Sequence, residues 1–414
     1  MDREISPPPT KRRKLRPASL ESTPSSNSLN PNPESMRPRR SIRIFSWNIN
    51  GVDPYLPSPS HKITSFFKPL ASGTTAATTT PHTSTSRSNT NPSSLRAFLS
   101  RHNFPEALFL QELKIAPGST AKATLSALQS SLNALPTNPD HGDDAEDGDN
   151  SRAYDLHAVL PRDRYNARGF GGKLYGVGTV LRRDFAREWV VCARGAEWDL
   201  EGRVGVVEMR KAVGGAQPVL ALVNVYAVNG TGAPYRDPAT GAVVGTRHDW
   251  KVAFHSRLRD ECLALEGRGF RVVVAGDLNV ARGVVDGYPG LRTWPRRHCV
   301  NRADFNRKFF GEEDNRRAGA YVEGAVGQGK CLDAVDVFRA IYGKERKYTY
   351  YPRTKEWGSS CDRVDLILVS KGLWEAGRVL GTGILDTPQE RGLSDHVPLW
   401  VEVAWDEKPE QKQE

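Results

Sequence analysis

Short apolar runs alternate with amphipathic stretches between residues 42 and 403. Runs 42–45, 107–110, 272–275 and 364–369 are rich in Val, Ile, Leu and Phe and end in polar or turn-forming residues, the pattern of buried strands. The same reading predicts strands at 153–160, 176–182, 189–193, 204–210, 219–226 and 399–403. Apolar residues recurring at helical spacing predict helices at 94–102, 119–134, 248–266, 302–310 and 334–341. Many strands at hairpin-sized spacing, with helices between the blocks, predict an α/β fold. Its form is a four-layer α/β sandwich, two packed mixed β-sheets flanked by helices over one contiguous core.

Three stretches break this pattern. Residues 1–40 are rich in Pro, Ser and Asn and nearly free of large apolar side chains, so they are expected to form a disordered basic tail. Within it, Lys11-Arg12-Arg13-Lys14 followed by Arg16 has the composition of a nuclear import signal and predicts a nuclear protein; a nonspecific basic arm is the alternative. Low-complexity segments near 71–94 and 135–152 read as surface insertions, which add little closure entropy. A catalytic domain over 41–405 with a charged tail at 406–414 follows.

The 414-residue chain carries a net charge of +10, unevenly spread. Residues 1–40 contribute +5 and residues 140–149 contribute −6, which leaves +11 on the rest. Such a body suits a partner covered in phosphates. The five cysteines are scattered with no C-x-x-C, against a zinc site or disulfide framework. No run approaches the roughly 18 apolar residues of a membrane span, so no membrane partner is expected.

Four short words at strand ends carry the chemistry: Trp47-Asn48-Ile49-Asn50-Gly51, Leu110-Gln111-Glu112, Gly276-Asp277-Leu278-Asn279 and Ser394-Asp395-His396. A sheet presents strand-end side chains to a common cleft. Together they offer carboxylates, carboxamides and one imidazole, the groups needed for metal-assisted phosphodiester hydrolysis. Glu112 needs a partner at its strand end, and a hard divalent cation is a natural one. The oxygen donors point to Mg2+, with Mn2+ as a substitute. Asp277 is placed to accept a proton from water, with Asn279 donating to phosphate or fixing the water and Asn48 orienting Asp277. His396, when protonated, can donate to a developing oxyanion. The basic stretch 162–168, including Arg164 and Arg168, either tracks a nucleic-acid backbone or is a solvated loop.

On these words the chain resembles the exonuclease III-like apurinic/apyrimidinic endonucleases of the endonuclease/exonuclease/phosphatase superfamily, over about residues 42–403. Further matches are Tyr175-Gly176-Val177-Gly178, Glu201-Gly202-Arg203-Val204, Asn224-Val225-Tyr226 with Asn229, and Arg363-Val364-Asp365. The resemblance implies a deoxyribonuclease I-like sandwich. It implies metal contacts from Glu112, Asn50, Asp395, Asp277 and Asn279, and Asp365 paired with His396. Tyr226 would join the catalytic set, while Asn229, Lys114, Tyr175, Arg203 and Tyr350 would contact substrate. Two departures stand out: Val228 precedes Asn229 where the family has Pro, and Asp362-Arg363-Val364 replaces the family's Trp-Arg-Leu, bringing charge to an expected apolar wall. The implied activity is a Mg2+-dependent DNA phosphodiesterase of base-excision repair. It would cut double-stranded DNA 5′ of abasic sites or act at nicks, with 3′-phosphodiesterase or exonuclease activity. The alternatives are RNA, blocked or protein-linked DNA ends, or phosphoinositides as substrate. A catalytically dead binding protein fits less well, since binding alone does not need Asp277 and His396 together.

Overall fold

The computed structural model describes residues 41–56, 94–134, 152–166, 169–210, 218–311 and 329–405. They fall in one compact unit spanning Arg39–Glu414. The tail to residue 40, most of both insertions, Arg168 and residues 406–414 lie outside the described residues.

The strands run in order β1 (Ser41–Asn48), β2 (Ala107–Gln111), β3 (Tyr154–Val159), β4 (Val177–Arg182), β5 (Val190–Gly195) and β6 (Val204–Arg210). Then come β7 (Pro218–Tyr226), β8 (Pro234–Arg236), β9 (Val243–Thr246), β10 (Arg271–Asp277) and β11 (Gly287–Tyr288). The last are β12 (Ala334–Asp336), β13 (Cys361–Asp362), β14 (Asp365–Ser370), β15 (Val379–Ile384) and β16 (Leu399–Ala404). The principal helices are α1 (Leu95–Arg101), α2 (Ser119–Leu132), α3 (Arg183–Trp189), α4 (Arg247–Gly267) and α5 (Arg297–Phe310).

One six-stranded sheet has the order β15-β16-β1-β2-β4-β3 and the other β12-β14-β10-β7-β6-β5. Each is mixed. β1 runs parallel to β2 and antiparallel to β16, and β10 runs parallel to β7 and antiparallel to β14. Alternate side chains of one strand enter different apolar layers. Ile42 and Ile44 of β1, Leu220 and Leu222 of β7, and Val273 and Ala275 of β10 pack between the sheets. Phe45 and Trp47 face outward to α1, while Val223, Val272 and Val274 face Phe254, Leu258 and Phe305 of α4 and α5. Both faces of each central strand are covered, which is why these strands read as unbroken apolar runs. The result is the four-layer α/β sandwich. A polar stitch crosses its middle layer: Gln111 Nε2 donates to Asn224 Oδ1 at 2.8 Å and to Ser46 Oγ at 3.0 Å.

Several elements differ from the sequence reading, which also did not include the short strands β8, β9, β11 and β13. α5 starts at Arg297 rather than 302, and Trp189 ends α3 instead of opening β5. The segment 334–341 is strand β12 followed by helix Val337–Tyr342, because Asp336 leaves the strand and accepts a cap bond from the Arg339 amide. The edge strand β15 was not expected. It carries Gly381 and Gly383, which weaken a strand pattern, yet a Cβ at Gly383 would meet Trp400 Nε1 at 2.7 Å. No described helix is long and apolar enough to cross a membrane, and all five cysteines are free.

Candidate active site

Strand register brings the four words together. Asp277, last in β10, sits opposite Tyr226 of β7 on one side and Asp365 of β14 on the other, while Asn48 of β1 pairs with Gln111 of β2. The close approach of β10 to β7 requires glycine: Gly276 has φ +151°, and a Cβ there would lie 1.9 Å from Val225 O. Beyond the strands the chain turns sharply, with left-handed backbone at Asn50, Glu112, Lys114 and Asn279. Asn adopts this readily; at Glu112 and Lys114 it is strain, of the kind concentrated at functional sites.

Asn48 is the hub. Its Nδ2 donates to Asp277 Oδ2 at 3.1 Å and Glu112 Oε1 at 3.2 Å, and its Oδ1 accepts from the Asn50 amide at 3.0 Å. Its own carbonyl accepts from Ser394 Oγ at 2.6 Å, and Ser394 Oγ accepts from the His396 amide, which ties the first word to the last. Asp277 is almost completely buried. Burial first, and then the charge of Asp365, push its carboxyl up to about 7, against the pull of His396. His396 Nδ1 lies 2.7 Å from Asp365 Oδ2. Burial disfavours the imidazolium, but the Asp365 charge and hydrogen bond outweigh it and hold His396 up to about 10. Burial, followed by the negative charge of Glu112, holds the Tyr226 phenol well above its usual range. Glu112 stays below the usual carboxylate range despite burial, because Lys114 is beside it.

A cavity of about 340 Å³ opens onto these groups. Asp277, His396, Tyr226, Asn229, Tyr350, Glu112, Asn50, Lys114, Asp395 and Asn279 all line it. Asn48 and Asp365 stand fully buried behind them. Three expected contacts are placed elsewhere. Arg203 is not in the cavity: it pairs with Glu201 at 2.7 Å, donates to Tyr226 O at 3.2 Å and lies 4.8 Å from the Tyr226 ring centroid, buttressing that residue. Tyr175 is set back, its ring 5.0 Å from Lys114 Nζ. Arg164 lies over the ring of its neighbour Tyr165, away from the cavity. The carboxamide hydrogens of Asn279 go to Ala227 O at 2.9 Å and Asp277 Oδ2 at 3.2 Å, which ties this side chain to the carboxylate.

The departure at Asp362-Arg363-Val364 divides in space. Asp362 and Val364 line the cavity, whereas Arg363 is buried in the core between Asp286 and Asp336, each at 2.7 Å. Lys251 and Arg302 also line the cavity and were not anticipated. Lys251 carried a signal: it lies on the same face of α4 as His255, Leu258, Cys262 and Leu265, where a lysine is out of place. Burial lowers it to about 7.

The donor set suits a hard cation. One oxygen each of Asp277 and Asp365 and a ring nitrogen of His396 lie within 4.8 Å of one another, the spacing of a metal site; the two carboxylates are able to hold a metal ion, whereas His396 as imidazolium is not a ligand. Asp365 Oδ1 is buried with no hydrogen-bond partner. Close by, Glu112 Oε2 and Asn50 Oδ1 converge on the ammonium of Lys114, the former at 2.6 Å, so these oxygens already bind a positive charge.

Two mixed sheets closing over a cavity of carboxylates, carboxamides and an Asp–His pair define a metal-dependent phosphoesterase. The chain belongs to the Endonuclease/Exonuclease/phosphatase family, which it matches over residues 45–396. No curated protein matches it significantly. Among solved structures it is similar to AP endonuclease LMAP from Leishmania major, with TM-score 0.54 and 18% identity over 88% of each chain. It is also similar to the catalytic domain of APE2 from Xenopus laevis, with TM-score 0.51 and 18% identity over 88% of this chain and 92% of that one. These likenesses show a shared fold.

Proposed function

We propose that this protein is a Mg2+-dependent DNA phosphodiesterase that cleaves the backbone 5′ of abasic sites. The observation that carries the reading is the pairing of opposites around one cavity: Asp277 as an acceptor for a water proton and His396, held as imidazolium by Asp365, as a donor to phosphate. Bound Mg2+, held by Glu112 with Asn50 and Asp395 in reach, would supply Lewis-acid polarisation of the phosphoryl oxygens.

The protein's own groups do the rest. Asn48 and Asn279 fix the Asp277 carboxylate so that one lone pair faces the attacking water. His396 donates to a non-bridging phosphoryl oxygen as charge develops there, and Tyr226 and Asn229, which line the same cavity, add donors. Lys114 steadies the Glu112 carboxylate. The basic body supports a polyanionic substrate, and the likeness in fold to an AP endonuclease supports abasic DNA over other phosphoesters. Incision of an abasic duplex, measured beside intact duplex, RNA and inositol phosphates in Mg2+ and in EDTA, tests it. We expect Mg2+-dependent cutting 5′ of the abasic site; preferential turnover of another substrate, or full activity in chelator, would overturn the reading.

A further inference from the structure

Seven lysine or arginine residues are at most 9% exposed among the described residues. Five are paired with a carboxylate: Arg203 with Glu201, Arg259 with Asp260, Arg282 with Asp336, Lys308 with Asp304, and Arg363 with Asp286. Lys251 and Arg302 have no described carboxylate within ion-pair distance. Lys251, 3% exposed, gives one hydrogen bond, from Nζ to the Asn279 carbonyl at 2.7 Å. Arg302, 6% exposed, donates to the carbonyls of Ala281 at 2.7 Å and Arg292 at 2.6 Å and contacts Cys299.

An unpaired buried cation costs several kcal/mol of desolvation unless something compensates it. Both exceptions line one cavity, and it is the cavity containing Asp277 and His396. Exposed Arg292 adds a third cation at its wall; Asp277 acts on Lys251 and Asp362 on Arg302 through space, but neither is within ion-pair distance. The cavity is at the small end of ligand pockets, with room for a nucleotide-sized group. Since His396, Tyr226 and Asn229 are assigned to the scissile phosphate, the three cations are left to address another anion.

We propose that Lys251 and Arg302, with Arg292 beside them, form a second phosphate subsite. It receives the phosphate on the 3′ side of the nucleotide whose 5′ linkage is cleaved. That phosphate is either the next diester of a continuous strand or a terminal 3′-phosphate. The subsite rests on the reading of the protein as a 5′-cleaving abasic-site enzyme. It explains why the pocket wall is charged: a sugar lacking its base offers little to recognise except its two flanking phosphates.

The test is equilibrium binding of the full chain, without divalent metal, to four duplexes containing a tetrahydrofuran abasic analogue. On its 3′ side the analogue carries an ordinary diester, a neutral methylphosphonate, a terminal phosphate or a terminal hydroxyl. Hydrogen bonds to charged groups are strong enough to change affinity by about tenfold or more. Wild type should therefore bind the neutral member of at least one pair about tenfold more weakly, and the pair affected identifies the source of the phosphate. In Lys251→Met and Arg302→Met the gap should shrink to under about threefold. Exposed Arg292→Ala should narrow it partly, a comparison that stands if a buried variant does not fold. Lys251→Met should also raise the melting temperature, because it removes an uncompensated buried charge. Equal binding of charged and neutral members by wild type would overturn the subsite, as would an undiminished gap in folded Lys251→Met. Full discrimination without cleavage of any of the four in Mg2+ would keep the subsite and remove the 5′-cleaving reading.

Discussion

Asp277 and His396 both hold their protons more tightly than usual, for different reasons. Burial and the neighbouring Asp365 raise Asp277 to about 7, while the Asp365 ion pair raises His396 to about 10 against burial. A base must be deprotonated and an oxyanion donor protonated, so kcat/KM should rise with pH through about 7 and fall through about 10. Asp365→Asn removes the charge that raises His396 and the smaller part of the Asp277 shift, whose larger cause is burial. Its alkaline limb should drop toward the ordinary imidazole value of about 6.5, which a pH–rate profile would show; an unmoved limb would separate Asp365 from His396. Glu112→Ala should raise the Mg2+ concentration needed for half-maximal activity with little change in thermal midpoint. A Mg2+ titration alongside a melting curve checks both. At this scale the sequence was legible where short polar words ended apolar runs. It was silent on how donors are spent: nothing in Glu201-Gly202-Arg203 shows that the guanidinium serves Glu201 and Tyr226. Nor does any local pattern bring Lys251 of α4 to the same cavity as Arg302 of α5.

Central strands were easy to read because helices and the second sheet cover both faces, leaving apolar runs such as Val272-Val273-Val274-Ala275. β15 was not, since its glycines exist to admit Trp400 from the neighbouring strand. The start of α5 was hidden because Arg297 and His298 carry no apolar periodicity: Arg297 pairs with exposed Asp249 and His298 lines the cavity. Gly276 links element to site. An alanine there would push β10 off β7, an overpacking cost of about 1–3 kcal/mol, and displace Asp277 with the strand. We expect Gly276→Ala to lower the denaturation midpoint and to lose activity out of proportion to that loss. Wild-type stability and activity would show that the two strands separate freely.

For the whole molecule, the placement of charge matters more than its sum. The body outside residues 1–40 and 140–149 carries +11, so DNA binding should weaken steeply with salt. We propose that Lys11-Arg12-Arg13-Lys14 directs nuclear import and that the catalytic unit works without it. A chain starting near Pro38 should fold and cleave normally, while a fluorescent fusion lacking 11–16 should lose nuclear accumulation. Unchanged localisation would leave the cluster as a nonspecific basic arm. The central claim is that Asp277 acts on the attacking water and not on DNA binding. The most direct measurement is single-turnover cleavage of one abasic duplex by Asp277→Asn, paired with its equilibrium affinity. General-base assistance is worth about 10²–10⁴-fold, so the account predicts a cleavage rate at least about 10²-fold lower with affinity preserved or raised. Cleavage near the wild-type rate, or a loss confined to affinity, would contradict it.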